Sequence, residues 1–151
     1  MERQYVTFKI SNQEFGVDIQ NVQEITNFVE CTQIPNTPKF IAGIVNIRGT
    51  ITPVIDLKER FNYNNDDNDE KNKRIIIANM EEKQIGFMID DASSVLTLNE
   101  NQIDEPPEII FQNNDNFVIG VGKIEEKLIQ ILDLEKILTV EEKEEVFKIM
   151  D

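Results

Sequence analysis

The chain has 151 residues, with 15 Lys and Arg against 29 Asp and Glu, one cysteine, no histidine and no tryptophan, and its formal net charge is −14. So much negative charge repels phosphate backbones and anionic lipid head groups, which argues against a nucleic-acid-binding or membrane-surface protein. The lack of histidine excludes imidazole-dependent triads and zinc sites, and one cysteine excludes an intrachain disulfide or a thiolate cage.

The N-terminal part of the chain predicts a β-hairpin and then an ambiguous segment. Residues 5–10 (YVTFKI) alternate polar and apolar side chains, and residues 15–19 (FGVDI) alternate again after a polar turn. Because polar and apolar residues alternate here, the N-terminal residues contain no continuous apolar run as long as that of a signal peptide. From Asn21 to Phe28 the three-residue spacing of Val22 and Ile25 favours a short helical turn.

A second hairpin is predicted from Ile44–Ile47 and Ile51–Ile55, with Arg48 and Gly49 at its turn. Pro53 has no amide hydrogen to donate to a neighbouring strand. We therefore expect its strand to lie at a sheet edge or to carry a bulge.

A short helix and a polar linker follow. Asp56 is expected to cap a helix over residues 57–61. Residues 62–73 (NYNNDDNDEKNK) contain Tyr63 as their only apolar residue and predict a solvated linker. The alternative is a calcium loop, although the acidic residues and a central glycine do not fall in the EF-hand register.

After the linker the pattern of strands begins again. The predicted elements are strands at 74–78, 84–89 and 95–98, a loop at 104–108, and a hairpin from 116–123 and 127–132. Asp133 is expected to cap a short helix at 134–138. A final helix is predicted at 140–150, with Thr139 and Glu142 forming its capping box. No stretch reaches the roughly 18 apolar residues of a membrane span, so we expect a soluble cytoplasmic protein.

The two halves of the chain share a spacing. The interval 43–56 and the interval 120–133 have equal length, and both run from a glycine into Asp-Leu and a short helix. This repeat predicts two β subdomains, approximately residues 1–61 and 74–138, joined by the polar linker 62–73. Each is expected to be a small barrel of about five strands, since closure hides strand edges. The groove between two such barrels is a usual place for binding.

Arg48 is a lone cation at the tip of an apolar hairpin. It is either an exposed turn residue, or a partner contact or ion pair that fixes the tip. Gly49 permits a tight turn, and Asn46 has a side chain that can bond its own backbone. Glu24, in the segment VQEI, is the candidate counter-charge. The sequence leaves open whether Glu24 reaches Arg48.

Other residues have simpler interpretations. The adjacent pairs Asp66–Asp67 and Asp90–Asp91 are poor candidates for catalysis, because neighbouring residues on a strand point to opposite faces. Cys31 is expected to be a small, partly buried residue. A small all-β carboxylate enzyme or metal binder remains as an alternative. The apolar residues near the second hairpin are expected mostly in the core: Val22, Ile25, Ile41, Ile44 and Val45.

Four segments closely resemble the CheW family, the coupling proteins of bacterial chemotaxis arrays: FGVDIQNVQEI, IPNTPKFIAGIVNIRGTITPVIDL, IGFMIDDASSVLTL and IGVGKIEEKLIQILDLEKIL. The resemblance extends from about Gln4 to Leu138. It implies one all-β CheW-like domain over 1–151, made of two intertwined SH3-like five-stranded barrels with short helical turns. Residues 139–151 form a C-terminal helical extension, expected to be a solvated cap.

The resemblance implies a non-catalytic adaptor without cofactor, metal site or catalytic residues. Such proteins couple methyl-accepting chemoreceptors to the histidine kinase CheA. The regulatory domain of CheA has the same fold and packs barrel to barrel through apolar surface, while the helical hairpin tip of the receptor docks in the groove between the barrels. We expect a stand-alone adaptor that is monomeric in isolation. The alternatives within the family are a module of a larger coupling protein and an excised kinase regulatory domain.

The matching motifs also imply a set of partner-binding residues. Val22 and Glu24 in VQEI, Gly43 in IAGI and Arg48 in NIRG fall on positions that the family uses for binding. The hairpin tip completes the predicted set: Val22, Glu24, Gly43, Asn46, Arg48 and Gly49. The resemblance further implies an ion pair between Glu24 and Arg48.

Overall fold

The computed structural model describes residues 2–63, 71–107 and 117–150. The strands are β1 Glu2–Ile10, β2 Gln13–Asp18, β3 Glu24–Asn27, β4 Ile41–Ile47, β5 Thr50–Asp56, β6 Arg74–Met80, β7 Lys83–Ile89, β8 Asp91–Asn99, β9 Ile103–Asp104, β10 Val118–Ile124 and β11 Lys127–Leu132. The α-helices are α1 Leu57–Arg60 and α2 Val140–Met150, and 3-10 turns cover Ile19–Asn21, Glu100–Gln102 and Leu134–Lys136.

The strands form two sheets, each curved into an SH3-like barrel. Barrel 1 is a six-stranded sheet in the order β8-β1-β2-β11-β10-β9, in which β9 has only two residues. Barrel 2 is a five-stranded sheet in the order β3-β6-β7-β5-β4. Most neighbours are antiparallel, while β2 with β11 and β5 with β7 are parallel. The predicted all-β fold is confirmed.

The barrels are intertwined, as the family resemblance implies. Barrel 1 takes β1 and β2 from the first half of the chain and β8–β11 from the second, and barrel 2 takes β6 and β7 from the second half. The assignment of one barrel to residues 1–61 and another to 74–138 is therefore wrong. A repeat in sequence shows that two units are alike, but it does not show whether each unit closes on itself or exchanges strands with the other.

The predicted helix caps are confirmed. The Asp56 carboxylate accepts hydrogen bonds from the Lys58 and Glu59 amides, and the Asp133 carboxylate accepts one from the Glu135 amide. The second helical turn is a 3-10 turn and is shorter than the predicted 134–138. At α2, the Glu142 amide donates to Thr139 Oγ1 at 3.1 Å and the Thr139 amide donates to Glu142 Oε1 at 2.8 Å.

The helical turn predicted around Val22 is wrong, because that segment leads into strand β3. The turn forms earlier, over Ile19–Asn21, where the Asp18 carboxylate accepts the Gln20 amide. The Gln23 amide then donates to the Ile77 carbonyl at 2.8 Å. This bond aligns the following residues with β6.

Pro53 does not lie on an edge strand, since β5 lies between β7 and β4. Pro53 is opposite Ile44, whose amide donates to the Thr32 carbonyl instead of to β5. On the other side, the pairing of β5 with β7 begins only at Val54. No ladder hydrogen bond is lost, so the proline is tolerated inside the sheet.

The main hydrophobic core lies between the two barrels, where Phe8 and Phe15 from barrel 1 pack with Ile55, Ile76 and Phe87 from barrel 2. Each barrel also has a small core of its own. Barrel 2 is filled by Val45, Ile47, Val54, Ile75 and Ile77, and barrel 1 by Tyr5, Leu98, Ile129 and Ile131. Burial between the barrels therefore holds the two units together.

Helix α2 buries one face, which corrects the expectation of a solvated cap. Val146 is fully buried in the main core, and Phe147 packs against the same core. The Lys83 ammonium lies 4.6 Å from the centre of the Phe147 ring. Arg60 on α1 forms an ion pair with Glu142 at 3.4 Å. Helix α2 is thus part of the fold.

Parts of the predicted linker and of two loops lie outside the described residues. Of residues 62–73 the structure describes Asn62, Tyr63 and 71–73, so the calcium-loop alternative and the Asp66–Asp67 pair are not covered. Tyr63 packs against the main core, with its ring 6.3 Å from that of Phe15. Residues 108–116 also lie outside the described part.

Candidate functional site

The segments VQEI and NIRG meet on barrel 2. Strands β3 and β4 stand at the two ends of the sheet order, with no ladder between them among the described residues. Arg48 Nη2 lies 2.9 Å from Glu24 Oε2 and bridges this seam. The ion pair implied by the family resemblance is therefore present.

The hairpin tip is shaped by its two central residues. Ile47 pairs with Thr50, so the loop consists of Arg48 and Gly49. Both have left-handed backbone conformations, with φ of 53° and 86°. This is the arrangement of a type I′ turn, which matches the twist of the flanking strands. The Gly49 amide donates to Asn46 Oδ1 at 2.7 Å and closes the turn.

The two partners of the ion pair differ in exposure. The side chain of Arg48 is 76% exposed and that of Glu24 is 21% exposed. Oε1 of Glu24 is buried and accepts no hydrogen bond from the described residues. A pair with one exposed member contributes about 0–1 kcal/mol to stability, because water screens the charges. Its main effect is to orient Arg48 at the surface.

Strand β3 is held in position next to the pair. The side-chain amide of Asn79 on β6 donates to Gln23 Oε1 at 2.8 Å, immediately before Glu24. Glu24 itself pairs with Ile77 in the β3–β6 ladder. The carboxylate therefore projects from a strand fixed by both backbone and side-chain hydrogen bonds.

Gly43 is buried under the backbone of Thr32. Thr32 and Ile44 exchange two hydrogen bonds of 2.9 Å, and this bridge brings the Thr32 carbonyl over the glycine. A Cβ at Gly43 would lie 2.3 Å from that oxygen, and φ at Gly43 is +142°. Gly43 thus affects the site through close backbone packing.

Val22 lies apart from the ion pair, at the exit of the 3-10 turn. Its amide donates to the Ile19 carbonyl at 3.1 Å, and its side chain packs partly buried against the main core. The structure thus brings four predicted residues together at the seam, while Gly43 lies further along β4 and Val22 lies at the crossing turn. The four are Glu24, Asn46, Arg48 and Gly49.

Several large apolar side chains are exposed, and sequence reasoning missed most of them. Ile51 and Leu128 are each the second residue of an equivalent strand, β5 and β11, and are 49% and 63% exposed. Ile25, expected in the core, is 39% exposed. The repeat spacing, which aligns Ile51 with Leu128, is the signal that indicates equivalent surfaces. The full set of exposed large apolar residues in the described part of the chain is Ile25, Val29 and Ile51 on or beside barrel 2, Val95, Ile119 and Leu128 on barrel 1, and Val140 at the start of α2.

Two clefts lie where the chain passes from barrel 1 to barrel 2. One has a volume of about 520 Å³ and is lined mainly by polar residues, among them Arg3, Asp18 and Gln20. The other has about 290 Å³ and extends from Arg3 and Asp18 to Ile119 on barrel 1. The ion pair between Arg3 and Asp18, at 3.4 Å, lies between the two clefts.

Burial shifts the pKa of two groups in barrel 2, Cys31 and Asp56. Burial raises the pKa of the Cys31 thiol, and the charges of Asp56 and Glu30 raise it further, so the reactive thiolate is disfavoured. Burial also raises the pKa of Asp56, whose carboxylate is already occupied as a helix cap.

Among residues 2–63, 71–107 and 117–150, no three His, Cys, Asp or Glu side chains are grouped to hold a metal ion. Within the same ranges, no helix is both long and apolar enough to span a membrane.

Comparisons with known proteins agree on one family. The CheW-like domain family matches residues 4–142. A protein named "Chemotaxis protein CheW" from Klebsiella aerogenes is 36% identical, over 93% of this chain and 84% of that protein. A "Probable chemotaxis protein CheW" from Rhizobium etli is 32% identical, over 95% and 92%. The crystal structure of the scaffolding protein TtCheW from Thermoanaerobacter tengcongensis superposes with a TM-score of 0.84 at 37% identity, covering 94% of this chain and 91% of that one.

Proposed function

We propose that this chain, which belongs to the CheW-like family of chemotaxis proteins, couples chemoreceptors to the histidine kinase CheA. In this proposal it acts as a non-catalytic adaptor at the cytoplasmic tips of receptors in signalling arrays. One face binds the regulatory domain of CheA and another binds the receptor tip. The ion pair between Glu24 and Arg48 carries the proposal, because it fixes a cation on the surface where VQEI and NIRG meet.

The exposed apolar side chains support a kinase-binding face. Ile25 and Ile51 on barrel 2 and Leu128 on barrel 1 project from an otherwise acidic protein. Isolated apolar residues at a surface need no explanation, but apolar anchors with a polar rim are typical of the centres of protein interfaces. A partner with the same barrel fold would bury these side chains against equivalent strands of its own.

The passage between the barrels supports a receptor-binding face. The 3-10 turn Ile19–Asn21 leads from barrel 1 to barrel 2, and the two clefts beside it are lined by this turn and by residues of barrel 1. Val22 follows this turn directly. A helical hairpin that extended from these clefts past Val22 to Arg48 would contact both barrels, so its binding would depend on how the barrels are oriented to each other.

Amide-shift mapping tests the proposal most broadly. The labelled chain is titrated first with the CheA regulatory domain and then with a peptide hairpin that corresponds to a receptor tip. We expect two separate sets of perturbed amides, one centred on exposed apolar residues such as Ile51 and one near Val22 and Arg48. Val22→Asp should reduce the receptor-induced shifts, and Glu14→Gln in the β1–β2 hairpin is the control that should leave both sets unchanged. If neither partner perturbs any amide, the adaptor proposal is wrong.

A further inference from the structure

The chain crosses between the barrels in two equivalent places, and the two crossings are built differently. One leads from β2 to β3 through Ile19–Asn21. The other leads from β7 to β8 through Asp90 alone. Because each crossing joins a strand of one barrel to a strand of the other, its local contacts affect how the barrels are oriented.

Asp90 joins parts of both barrels at the second crossing. Its Oδ2 lies 3.1 Å from Lys58 Nζ on α1, which follows β5 of barrel 2. The same oxygen accepts the Ser11 amide at 2.8 Å, in the β1–β2 turn of barrel 1. The Asp90 amide donates to the Lys9 carbonyl on β1 at 3.0 Å. Asp90 thus contacts three residues in two separate segments, α1 of barrel 2 and the end of β1 with its turn in barrel 1.

Lys58 is buried to an unusual degree for a charged residue. Its side chain is 4% exposed, and that of Asp90 is 25% exposed. Removing an ammonium group from water is unfavourable unless a partner of opposite charge is well placed. At the first crossing, by contrast, Arg3 pairs with Asp18 at 3.4 Å with 64% of its side chain exposed.

We propose that Lys58 and Asp90 are positioning residues that fix the orientation of barrel 1 relative to barrel 2. The apolar core between the barrels favours contact but has little directional preference. A buried ion pair with a shared backbone hydrogen bond requires one geometry, which is the role that such pairs have in some proteins. An effect of these residues on receptor binding in the groove rests on the proposed function. Their effect on the orientation of the barrels does not rest on it.

Pulsed electron–electron double resonance tests the relative orientation of the barrels without any binding partner. Spin labels are placed at Ile51→Cys and Leu128→Cys, one in each barrel, in a Cys31→Ala background. The variant K58M/D90N removes both charges and keeps an acceptor for the Ser11 amide. The variant R3M is the matched control, because it removes the exposed ion pair at the equivalent crossing.

We expect a single narrow distance distribution in the parent and in R3M, and a broadened or shifted one in K58M/D90N. K58M alone should lower the Tm by roughly 10 °C, because it leaves Asp90 without its counter-charge. K58M/D90N should stay folded, which the Tm checks. An unchanged distance distribution in the folded double variant would overturn the proposal.

Binding measurements separate this inference from the proposed function. K58M/D90N should bind the receptor tip at least tenfold more weakly, while its affinity for the CheA regulatory domain stays within twofold of the parent. A changed distance distribution with unchanged receptor affinity would overturn the link to the groove. If the parent chain itself fails to bind the receptor tip, the proposed function fails while the distance result still decides the positioning role.

Discussion

The β4–β5 and β10–β11 hairpins share a register shift and a backbone hydrogen bond, but the residues at their turns differ. Each contains a register shift after the first residue of its first strand. The Asp56 amide donates to the Phe40 carbonyl at 2.7 Å, and the Asp133 amide donates to the Phe117 carbonyl at 2.8 Å. The tips, however, are Arg48–Gly49 in one hairpin and Glu125–Glu126 in the other. The repeat therefore preserves the backbone of the two hairpins, while the charge of the residues at their tips differs.

The two hairpins also differ in what covers their glycines. Gly43 lies under the Thr32 carbonyl, which belongs to an isolated bridge. Gly120 lies beside Ile103, which belongs to the short strand β9. A backbone oxygen has no rotamer to change, whereas the Cγ2 methyl of Ile103 can move when χ1 rotates or when the two-residue strand β9 shifts. The first hairpin is therefore the less tolerant of change.

The largest expected effect comes from adding a methyl group at these glycines. Gly43→Ala would place Cβ 2.3 Å from a carbonyl oxygen at a φ of +142°, so we expect a loss of about 3–5 kcal/mol in the free energy of unfolding. Gly120→Ala would place Cβ 2.8 Å from Ile103 Cγ2 at an ordinary φ, and we expect a loss of about 1 kcal/mol. Urea denaturation measures both.

Equal losses in the two variants would contradict this comparison. The Arg48–Glu24 geometry provides a second check. Gly43 lies on the strand that leads to the tip. The amide chemical shifts of Arg48 should therefore change in Gly43→Ala and remain unchanged in Gly120→Ala.

The fold was predictable where the signal is local. Alternation identified the main strands, and the acidic residue before each short helix identified the caps at Asp56 and Asp133. The exchange of strands was not predictable from the repeat, because hydrogen bonding between distant segments decides it. The turn near Val22 was misplaced for a related reason: the Gln23 amide bonds the Ile77 carbonyl, far away in sequence.

A second effect concerns α2, which follows the second unit of the repeat. Val146 is fully buried in the main core. Val146→Ala should lower the free energy of unfolding by about 2 kcal/mol, since it removes buried apolar surface and leaves a cavity. Glu145→Ala, on the exposed side of the same helix, is the control and should stay within about 0.5 kcal/mol of the parent. Equal stabilities of the two variants would mean that α2 does not belong to the core.

A third effect concerns Asp56 and Asp133, which cap the short helices that follow the two hairpins. Asp56→Ala and Asp133→Ala should each lower the free energy of unfolding by about 1 kcal/mol, because each removes acceptors for helix amides. Chemical denaturation at constant pH compares them. A loss at only one position would show that the two short helices are not equivalent in energy.

Asp56 should also add a pH dependence. Burial raises its pKa in the folded state above the ordinary 3.8, so the folded chain binds this proton more tightly than the unfolded chain. Its contribution to stability is therefore fully present below the ordinary value and is lost as pH rises through the raised pKa. Relative to Asp56→Asn, the parent should become more stable as pH is lowered from 7 towards 4. A constant difference would contradict the raised pKa.

The smallest expected effect on stability is that of the ion pair at the seam. A double-mutant cycle with Glu24→Gln and Arg48→Gln should give a coupling energy between zero and about 1 kcal/mol, since Arg48 is largely exposed. The coupling should fall further at high salt. A coupling above about 2 kcal/mol would show that the pair stabilises the fold and does more than orient Arg48.

The ion pair between Glu24 and Arg48 was predictable from the family motifs, but the packing around it was not. The motifs identified Glu24 and Arg48, and the structure joins them across a seam that has no backbone ladder in the described part of the chain. The exposure of Ile25 could not be read from its sequence neighbours, because it depends on which face of β3 the barrel closes against. The burial of Gly43 depends on Thr32, which lies outside the predicted strands and belongs to none of the matching motifs.

The affinity of a receptor-tip hairpin for paired charge-reversal variants tests the central claim most directly. Arg48→Glu and Glu125→Arg reverse one charge at each equivalent tip and are measured by isothermal titration calorimetry at two salt concentrations. We expect at least tenfold weaker binding for Arg48→Glu and binding within twofold of the parent for Glu125→Arg. Equal effects of the two reversals, or none from Arg48→Glu, would contradict the claim that the tip of the β4–β5 hairpin supplies the recognition chemistry.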